Sequence, residues 1–101
     1  MILNANTIPV KGRTVRYYEA GSTHRRALLL LHGGFGAAAL HWEEVSRTLK
    51  SDYYIIAPDM PGYGETEPLP QMTIDAMVDW VRDLLDALGL DDVVGVANSF
   101  S

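Results

Sequence analysis

Five consecutive apolar residues, Ala27-Leu28-Leu29-Leu30-Leu31, run directly into His32-Gly33-Gly34. The run is far too short to cross a bilayer, which takes about 20 apolar residues in a helix. It offers no polar residue for a solvent-facing side. It therefore reads as a strand covered on both faces, as in a parallel sheet. Tyr53-Tyr54-Ile55-Ile56-Ala57 is a second run of this kind, and Val93-Val94-Gly95-Val96-Ala97 reads as a last strand.

Helical patterns separate these runs. After the loop over residues 33–39, Trp42, Val45 and Leu49 share one helical face, with Glu43, Glu44, Arg47 and Lys50 elsewhere. The two acids precede the two bases, which complements a helix dipole. A Pro/Gly-rich loop extends from Pro58 to Gln71. Beyond it Ile74, Met77, Val78, Val81, Leu84, Leu85 and Leu88 recur at helical spacing. Thr73 is the expected N-cap, Asp75 falls in the first turn, and Gly89 is the expected stop. Upstream, residues 2–8 and 13–20 read as strands joined by a turn at Lys11-Gly12. The order β-β-β-α-β-α-β predicts an α/β fold: an N-terminal antiparallel hairpin, then a mostly parallel sheet with helices on both faces.

The chain has 101 residues, 8 Lys+Arg and 13 Asp+Glu, for a net charge of −5. That balance argues against a nucleic-acid surface and against docking on anionic membrane. With no cysteine, disulfides and thiolate chemistry are excluded. No His and carboxylate pattern has metal-ligand spacing. The N-terminal 25 residues lack a signal-peptide pattern, so a cytoplasmic location is the expectation.

In open α/β sheets, sites gather beyond the carboxyl ends of the strands. Three such ends carry distinctive residues: His32-Gly33-Gly34-Phe35-Gly36, Asp59-Met60-Pro61-Gly62-Tyr63-Gly64, and Asn98-Ser99-Phe100-Ser101. Ala97-Asn98-Ser99-Phe100-Ser101 has the form small-x-Ser-x-small directly after a strand. A sharp strand-to-helix turn there would lift the Ser99 hydroxyl to the top of the sheet.

On these three marks, in this order, the chain resembles the α/β-hydrolase family over nearly its whole length. The resemblance implies that Ser99 is the nucleophile. It implies an oxyanion hole of the Phe100 amide and an amide from the loop after His32, Gly34 or alternatively Phe35. The family's elbow usually has glycine at both flanks; here Ala97 and Ser101 stand there. The family's acid and histidine follow the nucleophile, and this sequence ends two residues after Ser99. A whole hydrolase of this kind runs to roughly 250 residues. The expectation is therefore an incomplete α/β-hydrolase fold, residues 1–101 forming the N-terminal part of one domain, with the remainder C-terminal to Ser101 as its partner. The complete enzyme is expected to cleave small acyl compounds, esters first and C–C or amide bonds as alternatives, without cofactor or metal. The 101-residue chain is expected to be inactive alone.

Other residues have simpler readings. His32 is expected to bond loop backbone, since the family's base comes later in the chain. Asp59 is expected to cap the turn at Pro61-Gly62-Tyr63-Gly64. His24 and His41 read as surface or helix-start residues, Trp42 and Trp80 as packing aromatics. Glu65, Glu67, Asp91 and Asp92 read as solvated charges. Phe35 and Tyr63 sit where substrate-lining residues belong. Two rival readings stand beside the hydrolase. Gly34-Phe35-Gly36-Ala37-Ala38-Ala39, with Asp59 20 residues on, has the spacing of a dinucleotide-binding fingerprint. A non-catalytic, hydrolase-derived fragment is the other.

Overall fold

The computed structural model describes residues 3–32 and 38–97. Its elements are β1 (Asn4–Val10), β2 (Arg13–Ala20), β3 (Ala27–Leu31), α1 (Ala38–Leu49), β4 (Tyr54–Pro58), α2 (Ile74–Leu88) and β5 (Val93–Ala97). The strands form one sheet in the order β1-β2-β4-β3-β5. β3 pairs in parallel with both β4 and β5, while the β1–β2 hairpin joins antiparallel through β2 and β4. The architecture is the expected α/β fold with an N-terminal hairpin.

The hairpin turn sets where β1 ends. Lys11 and Gly12 both have positive φ, 51° and 81°. A two-residue turn of this kind matches the twist of its flanking strands. Pairing therefore continues up to Val10 and Arg13. β1 accordingly covers 4–10 rather than the expected 2–8. Pro9 is tolerated because β1 lies at the sheet edge.

Strand parity divides the core. Leu28, Leu30, Ile55 and Ala57 face α1, where Trp42 packs on them. Leu29, Ile56, Ala27 and Tyr54 face the other way, toward Val81, Leu85 and Leu88 of α2. The two helices thus lie on opposite faces. The step from β3 to β4 and the step from β4 to β5 run in opposite directions, and crossovers of one hand then demand opposite faces.

α1 departs from expectation in its buried stripe. Trp42, Ser46 and Leu49 turn inward, while Val45 is 37% exposed. Ser46 lies within a turn of Trp42 on the same side, and its small side chain is fully buried against the sheet. The first turn of α1 holds no acid, because the helix starts at Ala38. Glu43 and Glu44 act instead through Arg47, at 3.4 and 4.0 Å. Lys50 falls beyond the helix end.

α2 is capped as its sequence predicts. Thr73 has extended backbone, and its hydroxyl accepts the Ala76 N–H at 3.1 Å. Gly89 takes the left-handed conformation, φ 73°, and the Leu90 N–H reaches the Leu85 carbonyl at 2.9 Å. That pairing closes the helix end with the cross-bonding typical of a glycine stop. Trp80 and Leu84 are buried, but Ile74 and Val78 at the amino end are 79% and 49% exposed. Among the described residues, no helix is long and apolar enough to cross a membrane.

The Ser46 hydroxyl is buried with no hydrogen-bond partner among the described residues. A desolvated hydroxyl without a partner costs free energy, and alanine is the better helix former. Ser46→Ala is therefore expected to raise stability by about 1 kcal/mol. A urea unfolding midpoint that falls instead would contradict this packing.

Candidate active site

The sheet brings the carboxyl ends of β3, β4 and β5 to one edge. Leu31 pairs with Ala97, so β3 and β5 end level with each other. Leu29 pairs with Ile56, which sets the end of β4 beside them. His32 and Asp59, the first residues past β3 and β4, both lie at this edge and both are fully buried. The expected nucleophile Ser99, the oxyanion donors Gly34 and Phe100, and the lining residue Phe35 lie outside the described residues.

His32 behaves as its neighbours demand. Its Nε2 accepts the Met60 N–H at 2.8 Å. The ring meets Tyr63 edge-on, with centroids 5.4 Å apart and planes at 86°. An Nε2 that accepts a hydrogen bond carries no proton, so the imidazole is neutral with its proton on Nδ1. The histidine bonds loop backbone, as the sequence suggested. Tyr63, half-buried, packs on His32 and on the apolar cluster around Trp80.

Asp59 organises the turn that follows β4. Its Oδ2 accepts the Glu65 N–H at 3.3 Å. Gly64 has φ 54°, and a Cβ there would lie 2.1 Å from that same oxygen. Main-chain bonds close the rest: Tyr63 N–H to the Met60 carbonyl at 2.9 Å, and Gly62 N–H to the Thr66 carbonyl at 3.2 Å. A carboxylate committed to its own turn is poorly placed to take ribose hydroxyls. This geometry counts against the dinucleotide-binding reading of Asp59.

The turn is also fastened to β2, which sequence reasoning missed. The buried Thr66 hydroxyl accepts the Arg16 N–H at 3.0 Å and donates to the Arg16 carbonyl at 3.3 Å. The Glu67 N–H reaches the Thr14 carbonyl at 3.0 Å, and the Glu67 carboxylate accepts the Thr14 N–H. Glu67 is thus exposed but bonded, not merely solvated as expected. Thr66 and Glu67 continue the edge that β4 offers to β2 after the strand has ended. Asp92 likewise has a partner, Arg26 at 3.3 Å, across an exposed and therefore weak pair.

The shifted phenols lie elsewhere. Burial first, then a hydrogen bond to Glu19, pushes Tyr54 well above the usual tyrosine range. Burial, and secondarily the charge of Glu19, raises Tyr17. Tyr54 opens β4 at its amino end, whereas Tyr17 stands opposite Pro58 at the carboxyl end of that strand. Among the described residues no group of His, Asp and Glu could hold a metal ion.

Beside the carboxyl edge, on the α2 face, lies an apolar groove of about 490 Å³. Leu31 and Met60 form its floor, and Met72, Ile74, Met77 and Val78 its wall.

Residues 26–100 match the family model described as the alpha/beta hydrolase fold. The chain is 33% identical over 92 residues to epoxide hydrolase 4 of Homo sapiens, covering 88% of the chain and 25% of that protein. It is 32% identical over 91 residues to 2-hydroxy-6-oxo-6-(2'-aminophenyl)hexa-2,4-dienoic acid hydrolase of Metapseudomonas resinovorans, covering 87% of the chain and 31% of that protein. Among solved structures, a bacterial membrane phospholipase A superposes with a TM-score of 0.87 at 29% identity, covering 97% of this chain and 32% of that one. The chain thus spans about a quarter to a third of the length of these relatives.

The Asp59–Gly64 contact makes a sharp prediction. Gly64→Ala must displace a buried carboxylate and is expected to cost at least about 2 kcal/mol. Gly12→Ala, also at positive φ but with nothing within 4 Å of its Cβ, is expected to cost only about 1 kcal/mol. Chemical denaturation of both variants measures the difference; equal losses would show that Asp59 does not constrain the turn.

Proposed function

Because the chain belongs to the α/β-hydrolase fold family, we propose that it supplies the first strands and the nucleophile of a serine hydrolase acting on small acyl compounds, carboxylic esters first. The observation that carries this reading is the carboxyl edge. Three parallel strands end level there, His32 and the Asp59 turn interlock, and Ser99 follows β5 by two residues.

In this reading Ser99 attacks the carbonyl carbon, and the tetrahedral oxyanion is held by the Phe100 N–H and the Gly34 N–H, with Phe35 as the alternative donor. The acyl-enzyme is then hydrolysed by water. His32 is not the base, since its Nε2 is engaged by Met60. The base and its acid come from sequence beyond Ser101, within the same domain. The protein works in the cytoplasm on a small-molecule substrate, with no cofactor, metal, nucleic acid or membrane.

Likeness to epoxide hydrolase 4 makes an epoxide the competing substrate. Ser99 weighs against it, because the epoxide-opening branch of the family uses a carboxylate nucleophile. Likeness to a dienoic acid hydrolase keeps C–C bond cleavage in view.

The test is covalent labelling of the full-length protein with a fluorophosphonate probe. Ser99 is expected to be the labelled residue. Ser99→Ala should abolish labelling and lower ester turnover by about 10⁴-fold or more. The 101-residue chain alone, lacking a general base, is expected to resist the probe. Epoxide turnover with no ester hydrolysis and no labelled serine would overturn the reading.

A further inference from the structure

We propose that Glu19 is a clasp fastening the N-terminal hairpin to the parallel strands, and that the two phenols beside it make the β2–β4 seam the place where the sheet opens in alkali. The inference stands apart from the serine-hydrolase reading and uses neither Ser99 nor its neighbours.

The seam is short. The hairpin pairs with itself from Asn4 with Glu19 to Val10 with Arg13, whereas β2 meets β4 from Tyr17 with Pro58 to Ala20 with Ile55. Glu19 spans the seam with its side chain. Asn4 on β1 and Ile56 on β4 stand opposite it, and its carboxylate reaches the diagonal neighbour on each side. One oxygen accepts the Asn6 amide at 2.8 Å, and the other accepts the Tyr54 hydroxyl. One side chain thus ties three strands. Tyr54 lies one residue beyond Ile55, where β4 stops pairing with β2, so the clasp carries the seam further than main-chain pairing does.

Both donors to Glu19 are neutral, and among the described residues no Lys or Arg pairs with it. Tyr17 and Tyr54 pack with Ala27, Leu29, Val81, Leu85 and Leu88 from β3 and α2. Arg26 meets Tyr54 through the main chain, and its side chain pairs with Asp92. Among the described residues, the charges acting on the two phenols come from Glu19 and from the phenols themselves. A phenolate at position 54 would lose its donated hydrogen bond and set a second negative charge against the carboxylate at a buried position. Ionisation of Tyr54 is therefore tied to the parting of β2 from β4. The clasp contributes in full below about pH 10, the ordinary tyrosine value, and is lost as the pH rises above it. β2 also fastens the turn after β4 through Thr14 and Arg16, so an open seam frees that turn as well.

The experiment uses the full-length protein, Glu19→Gln and Tyr54→Phe. Tyrosinate absorbance after a jump in pH is read for each protein against the same protein carrying Tyr54→Phe, which isolates the phenol at position 54. In the wild type that phenol is expected to ionise at least about one pH unit above the ordinary range, in step with loss of strand circular dichroism. In Glu19→Gln it should ionise lower and at once. Hydrogen exchange at pH 7 reads the seam directly: Glu19→Gln should speed exchange of the β2 amides and the Glu67 amide by about 10-fold, with a smaller change in α1. A wild-type phenol that ionises in the ordinary range, or before any strand signal is lost, would overturn the proposal. So would exchange that is unchanged, or equally faster in α1. If Glu19→Gln does not fold, Tyr54→Phe decides. Faster seam exchange at pH 7, with the strand signal kept to higher pH than in the wild type, supports the clasp. Wild-type behaviour on both counts sinks it.

Discussion

Burial of β3 and β4 on both faces is the constraint on which the rest of the structure depends. A strand with no polar side needs a helix above and another below. α1 and α2 meet that need from opposite faces, and the alternation of Leu28, Leu30 against Ala27, Leu29 assigns each helix its half of the core. Because β3, β4 and β5 then run in parallel, their carboxyl ends fall on one edge. The candidate site is a consequence of how the core is covered.

Apolar contacts bring the strand ends together, but polar contacts give the edge its shape. The turn after β4 packs Met60 and Tyr63 on the Trp80 cluster, and its polar groups are held separately. Asp59 satisfies it from within, and Thr66 and Glu67 fasten it to β2 from outside. His32 then joins this turn to the end of β3. Buried hydrogen bonds are directional where apolar packing is not, so they fix orientation where packing fixes only proximity.

Much of the fold was legible in the sequence. The apolar runs at 27–31 and 93–97 match β3 and β5, and Thr73 and Gly89 mark the ends of α2. These signals are local, since each depends on residues within a turn or a strand. What escaped is nonlocal. Thr66 and Glu67 bond residues about 50 positions away, and no local pattern announces a partner that distant. Helical periodicity ranked Val45 with Trp42 and Leu49, yet the sheet receives Ser46, because the approach of α1 and not hydrophobicity chooses the buried side. The same periodicity marked Ile74 and Val78 as apolar face without telling what covers them.

By itself the sequence determined the kinds of element, their caps and turns, and the motif order that identifies the family. Those properties follow from side-chain period, backbone preference and local hydrogen bonding, all short-range. Only the tertiary structure decided the strand order β1-β2-β4-β3-β5, the opposite placement of the helices, and the meeting of His32 with Met60 and Tyr63. Those depend on which distant surfaces exclude water together, a property of the assembled chain that no segment carries alone.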